Sequence, residues 1–280
     1  MSSTALTALF DGLLDDAAMF PPEDAPLADA VVGHAAHRLA WYSDLVAAFV
    51  CAAGRLPSLS AQLALRAIPR LEASLVVPGG IDAVPEALAA ASRAPQVEVV
   101  ALEVPCGTTA LPHALRALAP LVASHRAVYL EIPVVALREE SVHAVAATGV
   151  RIKLRTGGTT LDAFQTEDQL AHAILLCAAE RQPFKCTAGL HHAVRHRDDS
   201  TLFQHHGFLN IALAARVAAS TGNHAATRDV LAERDASDVA AQVRELAASD
   251  VRAIRALFRT FGTCSITEPV DDLLALGLLP

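Results

Sequence analysis

The chain has 280 residues, enough for one large α/β domain or two small ones. Its formal net charge of −8, with no long basic run, argues against nucleic acid as a partner. Apolar residues make up 53% of it, yet no uninterrupted apolar run reaches the roughly 18–20 residues of a membrane span, so no membrane partner is expected either.

The first segment, 3–20, reads as an amphipathic helix stopped by Pro21 and Pro22, and a second helix over 26–42 begins at Pro26. The opening stretch has no basic leader and carries acids within its apolar pattern, so it is not a signal peptide and the expected location is cytoplasmic. From there short β-rich runs alternate with helical ones. The strand segments are 45–53, 71–79, 97–105, 127–135, 150–156, 183–189 and 262–266. Helices are expected between them at 58–68, 81–93, 110–124, 137–148 and 166–181. The stretch 207–220 supplies either a seventh strand with its helix or a helix alone. Residues 228–258 read as a charged helical insertion before the last strand, and 271–279 as the closing helix.

Near-continuous apolar strands alternating with helices signal a parallel sheet covered by helices. The count favours a closed (βα)8 TIM-type barrel, with two N-terminal helices and a helical insertion before the last strand. One domain is expected over 1–280, its barrel in 45–280 behind a helical extension, 1–44. The cysteines Cys51, Cys106, Cys177, Cys186 and Cys264 form no CxxC pair and read as free thiols.

Of the 22 basic residues counted as Lys+Arg, only Lys153 and Lys185 are lysines, and both fall on apolar strand segments. Arginine keeps its proton, whereas a buried lysine can become neutral and act as base or nucleophile. Side chains alternate across a strand, so parity groups them by face. Glu103 shares a face with Ala101, Glu131 with Tyr129, Lys153 with Arg151 and Arg155, and Lys185 with Thr187. Four successive strands thus carry ionisable groups on one face near their C-terminal ends, where barrel active sites lie. A mutually neutralising structural network is the competing explanation.

The segments IKLRTGG and FKCTAG, one helix apart, resemble the fifth and sixth strands of class I aldolases of the deoxyribose-phosphate-aldolase type. That resemblance covers about forty residues. It implies that Lys185 forms an imine with a carbonyl substrate while Lys153 depresses its pKa. The chain departs from the family in having no lysine after Lys185, no Gly-rich phosphate loop near the last strands, and Glu103 where the family uses Asp. It is therefore read as a separate bacterial barrel family.

After Lys185 the loop AGLHHAVRHRDD offers His191, His192, Arg195, His196 and Arg197 to an anionic substrate, His191 and His192 being nearest the strand end. The turn at 155–158 exposes N–H groups suited to a carboxylate or phosphate, although a plain Gly-Gly turn accounts for it as well. Asn210 joins the mouth if its segment is a strand. A metal is the rival chemistry, held by Glu103, Glu131 and one of His191, His192, His205 or His206. His34 and His37 read as ordinary helix-face residues. A thiolate at Cys264 needs a neighbouring base, for which His192 is the candidate, although small buried cysteines on strands are common.

The expectation is a lyase or isomerase without an organic cofactor, acting on a small anionic carbonyl compound. Lys185, Lys153, Glu103 and Glu131 are its catalytic groups, and Arg155, Thr187, His191, His192 and Asn210 bind substrate. A metal-dependent hydrolase or lyase and a non-catalytic ligand-binding barrel are the alternatives. Ala-rich helices suit close subunit packing, so a homodimer is among the expected assemblies.

Overall fold

The computed structural model describes residues 3–123, 126–199 and 201–279. Its strands run β1 (Leu14–Asp16), β2 (Val46–Ala52), β3 (Leu71–Val76), β4 (Val97–Pro105), β5 (Ala127–Glu131), β6 (Arg151–Arg155) and β7 (Phe184–Thr187). A two-stranded hairpin, β8 (His196–Arg197) with β9 (Gln204–His205), precedes β10 (Phe258–Thr263). Seven parallel neighbours in chain order, β1 to β7, are closed by β10, which pairs with β7 on one side and β1 on the other. The (βα)8 barrel expected from the alternation is the fold.

The helices are α1 (Ser3–Phe10), α2 (Leu27–His37), α3 (Leu56–Leu65), α4 (Val84–Ser92), α5 (Leu111–Val122), α6 (Glu139–Ala146) and α7 (Glu167–Ala179). They continue as α8 (Phe208–Thr221), α9 (His224–Ala232), α10 (Ala236–Arg244), α11 (Ala248–Leu257) and α12 (Thr267–Ala275). Outward strand residues pack on this layer, Phe261 stacking on Phe208 of α8, while Phe184 of β7 stacks on Phe258 of the neighbouring β10.

Two expectations fail in instructive ways. The helix read over 3–20 ends at Phe10, Gly12 takes a φ of +54°, and Leu14–Asp16 then form the first barrel strand. A strand of three residues is too short to show a period of two. It is fixed by its neighbours, with Asp15 beside Gly262 and Asp16 beside Phe49. The extension is therefore only partly outside the barrel. The stretch 207–220 is α8 and no strand; its residues from Phe208 to Ala215 are all buried, because it lies between the barrel and α7, α9 and α11. A helix buried on every side loses the polar face that marks a helix in sequence. The last strand begins at Phe258, four residues before the expected 262, and the helical insertion stands before it as expected.

Candidate functional site

The inward face follows from contacts that cross the lumen. Glu103 on β4 and Lys185 on β7 are separated in the sheet by β5 and β6, yet Lys185 Nζ donates to Glu103 Oε1 at 2.6 Å. The same ammonium donates to Asp15 Oδ2 at 2.6 Å. Glu103 presents its other oxygen, Oε2, to Lys153 Nζ at 2.7 Å, and Lys153 reaches on to Glu131 Oε2 at 2.9 Å. Glu131 Oε1 then accepts from Arg155 Nε at 2.8 Å. The result is an unbroken chain of alternating sign: Asp15, Lys185, Glu103, Lys153, Glu131, Arg155. Three carboxylates meet three cations, so their formal charges balance within the chain.

The chain runs from deep to shallow. Lys185 is 1% exposed and Glu103 2%, whereas the side chain of Glu131 is 17% exposed and that of Arg155 47%. Arg155 and Thr187 are paired at the C-terminal ends of β6 and β7, so the open end of the chain lies at the C-terminal mouth. The deep end is held from below: Ser74 Oγ donates to Glu103 Oε1 at 2.6 Å and Ala48 N–H donates to Asp15 Oδ1 at 3.1 Å. The Tyr129 ring lies 5.3 Å from Lys185 Nζ, and its hydroxyl accepts from Arg151 at 3.2 Å. Near the strand starts a cleft of about 460 Å³ reaches Asp15 and Tyr129 from the N-terminal side.

Burial alone would neutralise these groups, but each is opposed by a nearer partner. Burial pushes the Glu103 carboxyl up, and the Lys153 and Lys185 ammoniums outweigh it, holding it well below the usual carboxylate range. Glu131 behaves likewise: burial is outweighed by Lys153 and Arg155, and its pKa is lowered. For Lys185 burial favours the neutral amine, but Asp15 and Glu103 overcome it and raise its pKa above the ordinary lysine value. This corrects one expectation. Lys153 does not depress the Lys185 pKa, because Glu103 stands between the two ammoniums, and the free amine an imine-forming lysine needs is replaced by an ammonium with two carboxylate partners.

Parity therefore brings Glu103, Glu131, Lys153, Arg155, Lys185 and Thr187 to one lumen. Tyr129, grouped with Glu131 by parity, joins them, and Asp15 and Ser74 complete the set and were missed. The signal for Asp15 was an acidic pair, Asp15–Asp16, flanked by Leu13–Leu14 and Ala17–Ala18. Its neighbour Asp16 points the other way, to His34 Nδ1 of α2 at 2.9 Å, so His34 is a buried helix-face residue as expected.

Other candidates are engaged with partners outside the charged chain. Asn210 is fully buried on α8; its Oδ1 accepts from Arg195 N–H, and its Nδ2 donates to the carbonyls of Val230 and Glu233. It clips a loop to the end of α9. Arg195 is buried against Glu167 at 2.6 Å and His206 at 3.1 Å, and Arg197 donates to Leu202 O. His192 turns to Asp272 of α12 at 3.2 Å, which raises its pKa, burial opposing. Gly157 has a packing reason: a Cβ there would sit 2.9 Å from the Gly189 Cα. Two glycine turns meeting back to back account for the RTGG segment without a bound anion.

The rival metal set is not brought together. Both oxygens of Glu103 are occupied by lysine ammoniums, and His191 lies against Glu268 instead. Among the described residues no three His, Cys, Asp or Glu side chains are grouped to hold a metal ion. No helix among the described residues is long and apolar enough to cross a membrane. No protein-family model matches the chain, and no curated protein matches it in sequence.

Proposed function

We propose that this barrel is a cytoplasmic enzyme of the isomerase or lyase type that moves a proton on a small anionic carbonyl compound. The observation that carries this reading is the alternating chain of charges ending in a half-exposed arginine at the C-terminal mouth. Perturbed ionisable groups gathered at such a mouth are candidates for chemistry. The reading favours proton transfer over imine formation, because Lys185 is held as an ammonium.

In this mechanism the substrate carboxylate takes the Arg155 guanidinium, whose planar fork suits it. Glu131 then loses one of the two cations that depress its pKa and becomes a stronger base. It removes a proton from the carbon next to the carbonyl. Lys153, already 2.9 Å from Glu131, donates a hydrogen bond to the developing enolate oxygen. Thr187 borders the substrate. Lys185, Glu103 and Asp15 touch no substrate; they position Lys153 and keep its counter-charge fixed. No organic cofactor is invoked.

The test is hydrogen exchange. Small keto and hydroxy acids are incubated with the protein in D2O and followed by proton NMR. Catalysed loss of a C–H signal for at least one acid, abolished in Glu131→Gln, supports the reading. No exchange above the buffer rate across the panel contradicts it.

A further inference from the structure

We propose that Cys264, His191 and Glu268 form a second, nucleophilic site at the same mouth, one that captures an electrophilic carbonyl carbon as a thiohemiacetal. The nucleophile stands on residues outside the ion chain; only the class of compound, an aldehyde or α-keto acid, rests on the reading above.

The three groups arrive from two segments. Cys264 follows β10, two residues beyond Gly262, and Glu268 lies one turn later at the start of α12. Gly262 pairs with Thr187 of the neighbouring β7, where a Cβ would sit 3.3 Å from Thr187 Oγ1, and Cys264 follows the C-terminal end of β10, which places it at the mouth. His191, in the loop after β7, lies between them. Its Nδ1 is 2.8 Å from Glu268 Oε2, and Cys264 Sγ lies 3.6 Å from its Nε2 and 3.8 Å from its Nδ1.

These contacts fix the roles. A carboxylate oxygen only accepts, so Nδ1 carries the ring proton and Nε2, the ring nitrogen nearer the thiol, is the one left to accept; a turn of the ring brings its lone pair onto Sγ. This is a nucleophile, a base and a group that orients the base, in the order that acyl-transfer and carbonyl-addition sites require. Cys264 and Cys106 are each 9% exposed, while Cys51, Cys177 and Cys186 are fully buried, and Cys106 Sγ donates to the Gly107 carbonyl. Sequence pointed to His192 as the partner, but that ring is turned to Asp272.

At rest Cys264 is a thiol: burial, with the Glu268 and Glu23 carboxylates adding to it, pushes its pKa up to about 11. The proton must therefore leave as the carbon approaches. The Sγ–H proton passes to His191 Nε2 while the Sγ–C bond forms and the carbonyl π pair moves to oxygen. The imidazolium, held by Glu268, returns the proton to that oxygen. No atom is lost and nothing is oxidised.

The test has two arms. In the first, native protein is labelled with iodoacetamide and each cysteine is quantified by mass spectrometry. Cys264 is expected to label fastest, with its rate falling at least about 10-fold in His191→Gln. A smaller fall is expected in Glu268→Gln. Protection of Cys177 in the same sample reports that each variant is folded. An unchanged Cys264 rate in folded His191→Gln overturns the triad. In the second arm, glyoxylate labelled with ¹³C at its aldehyde carbon is added and followed by NMR. A protein-bound thiohemiacetal carbon is expected in the wild type and not in Cys264→Ser. Its absence from the wild type, or its survival in Cys264→Ser, overturns the carbonyl assignment. Failure of the proton-exchange assay leaves both arms standing.

Discussion

Replacing Glu103 by Gln removes the anion that two lysines share while keeping the shape of the side chain. One amide oxygen can still serve Lys185 or Ser74, but the amide nitrogen then faces Lys153 Nζ, donor against donor, at what is now 2.7 Å. Breaking a buried ion pair by removing one partner costs about 3–5 kcal/mol. Glu103 takes part in two pairs, yet the cost does not double, because Lys185 keeps Asp15 and Lys153 keeps Glu131. A loss of about 3–5 kcal/mol at pH 7 is expected by urea denaturation, out of the roughly 5–15 kcal/mol that holds a typical domain. The pH dependence supplies the sign. The folded-state pKa of Glu103 is depressed, so its contribution is present above the unfolded carboxyl pKa of about 4.3 and is lost as pH falls through the folded value. The gap between wild type and Glu103→Gln therefore narrows in acid. The folded-state pKa of Lys185 is raised, so its contribution is complete below about 10.4 and fades only as pH rises through its folded value. A Glu103→Gln protein within about 0.5 kcal/mol of wild type at pH 7 would refute the ion-chain energetics, since surface changes alone lie in that range.

Arg155→Ala is expected to weaken substrate binding strongly, read as a raised KM in whichever exchange reaction is found. It should cost under about 1 kcal/mol of stability, because its guanidinium is half-exposed. Asn210→Ala does the reverse: roughly 2–4 kcal/mol of stability is lost by urea denaturation through three stranded backbone groups, with kinetics per folded molecule unchanged. Gly157→Ala should cost about 1–3 kcal/mol through overpacking against Gly189, measured the same way. His206 is buried between the Arg195 guanidinium and the Gln165 carbonyl, so its Nδ1 accepts and its Nε2 donates. Burial first, then Arg195, lowers its pKa to about 4. The folded state resists a proton that the unfolded chain binds below about 6.5, so stability falls as pH drops from there toward 4. Urea midpoints between these limits should vary less steeply in His206→Gln, and ¹⁵N NMR at pH 6 should show the neutral Nε2–H form.

Long apolar strands made most of the lumen legible. β4, β5, β6 and β7 show their period over four to nine residues, so parity alone grouped Glu103, Glu131, Lys153 and Lys185. Asp15 was hidden because its strand is three residues long, set by pairing with β2 and β10 rather than by local preference. Asn210 was placed at the mouth because a short, wholly apolar run reads equally as strand or helix. The direction of the Lys185 pKa was out of reach for a related reason. It depends on which carboxylates hold Lys185, and one of the two was Asp15.

With two lysines in the chain, the protonation of Lys185 can be read directly. Protein labelled with ¹³C at the lysine ε carbon is titrated by NMR, the two signals being assigned with Lys153→Arg. The Lys185 signal is expected to keep its ammonium position past pH 10.5. A Lys185 that titrates near pH 7–8 would contradict the alternating chain and restore a free amine poised for imine chemistry.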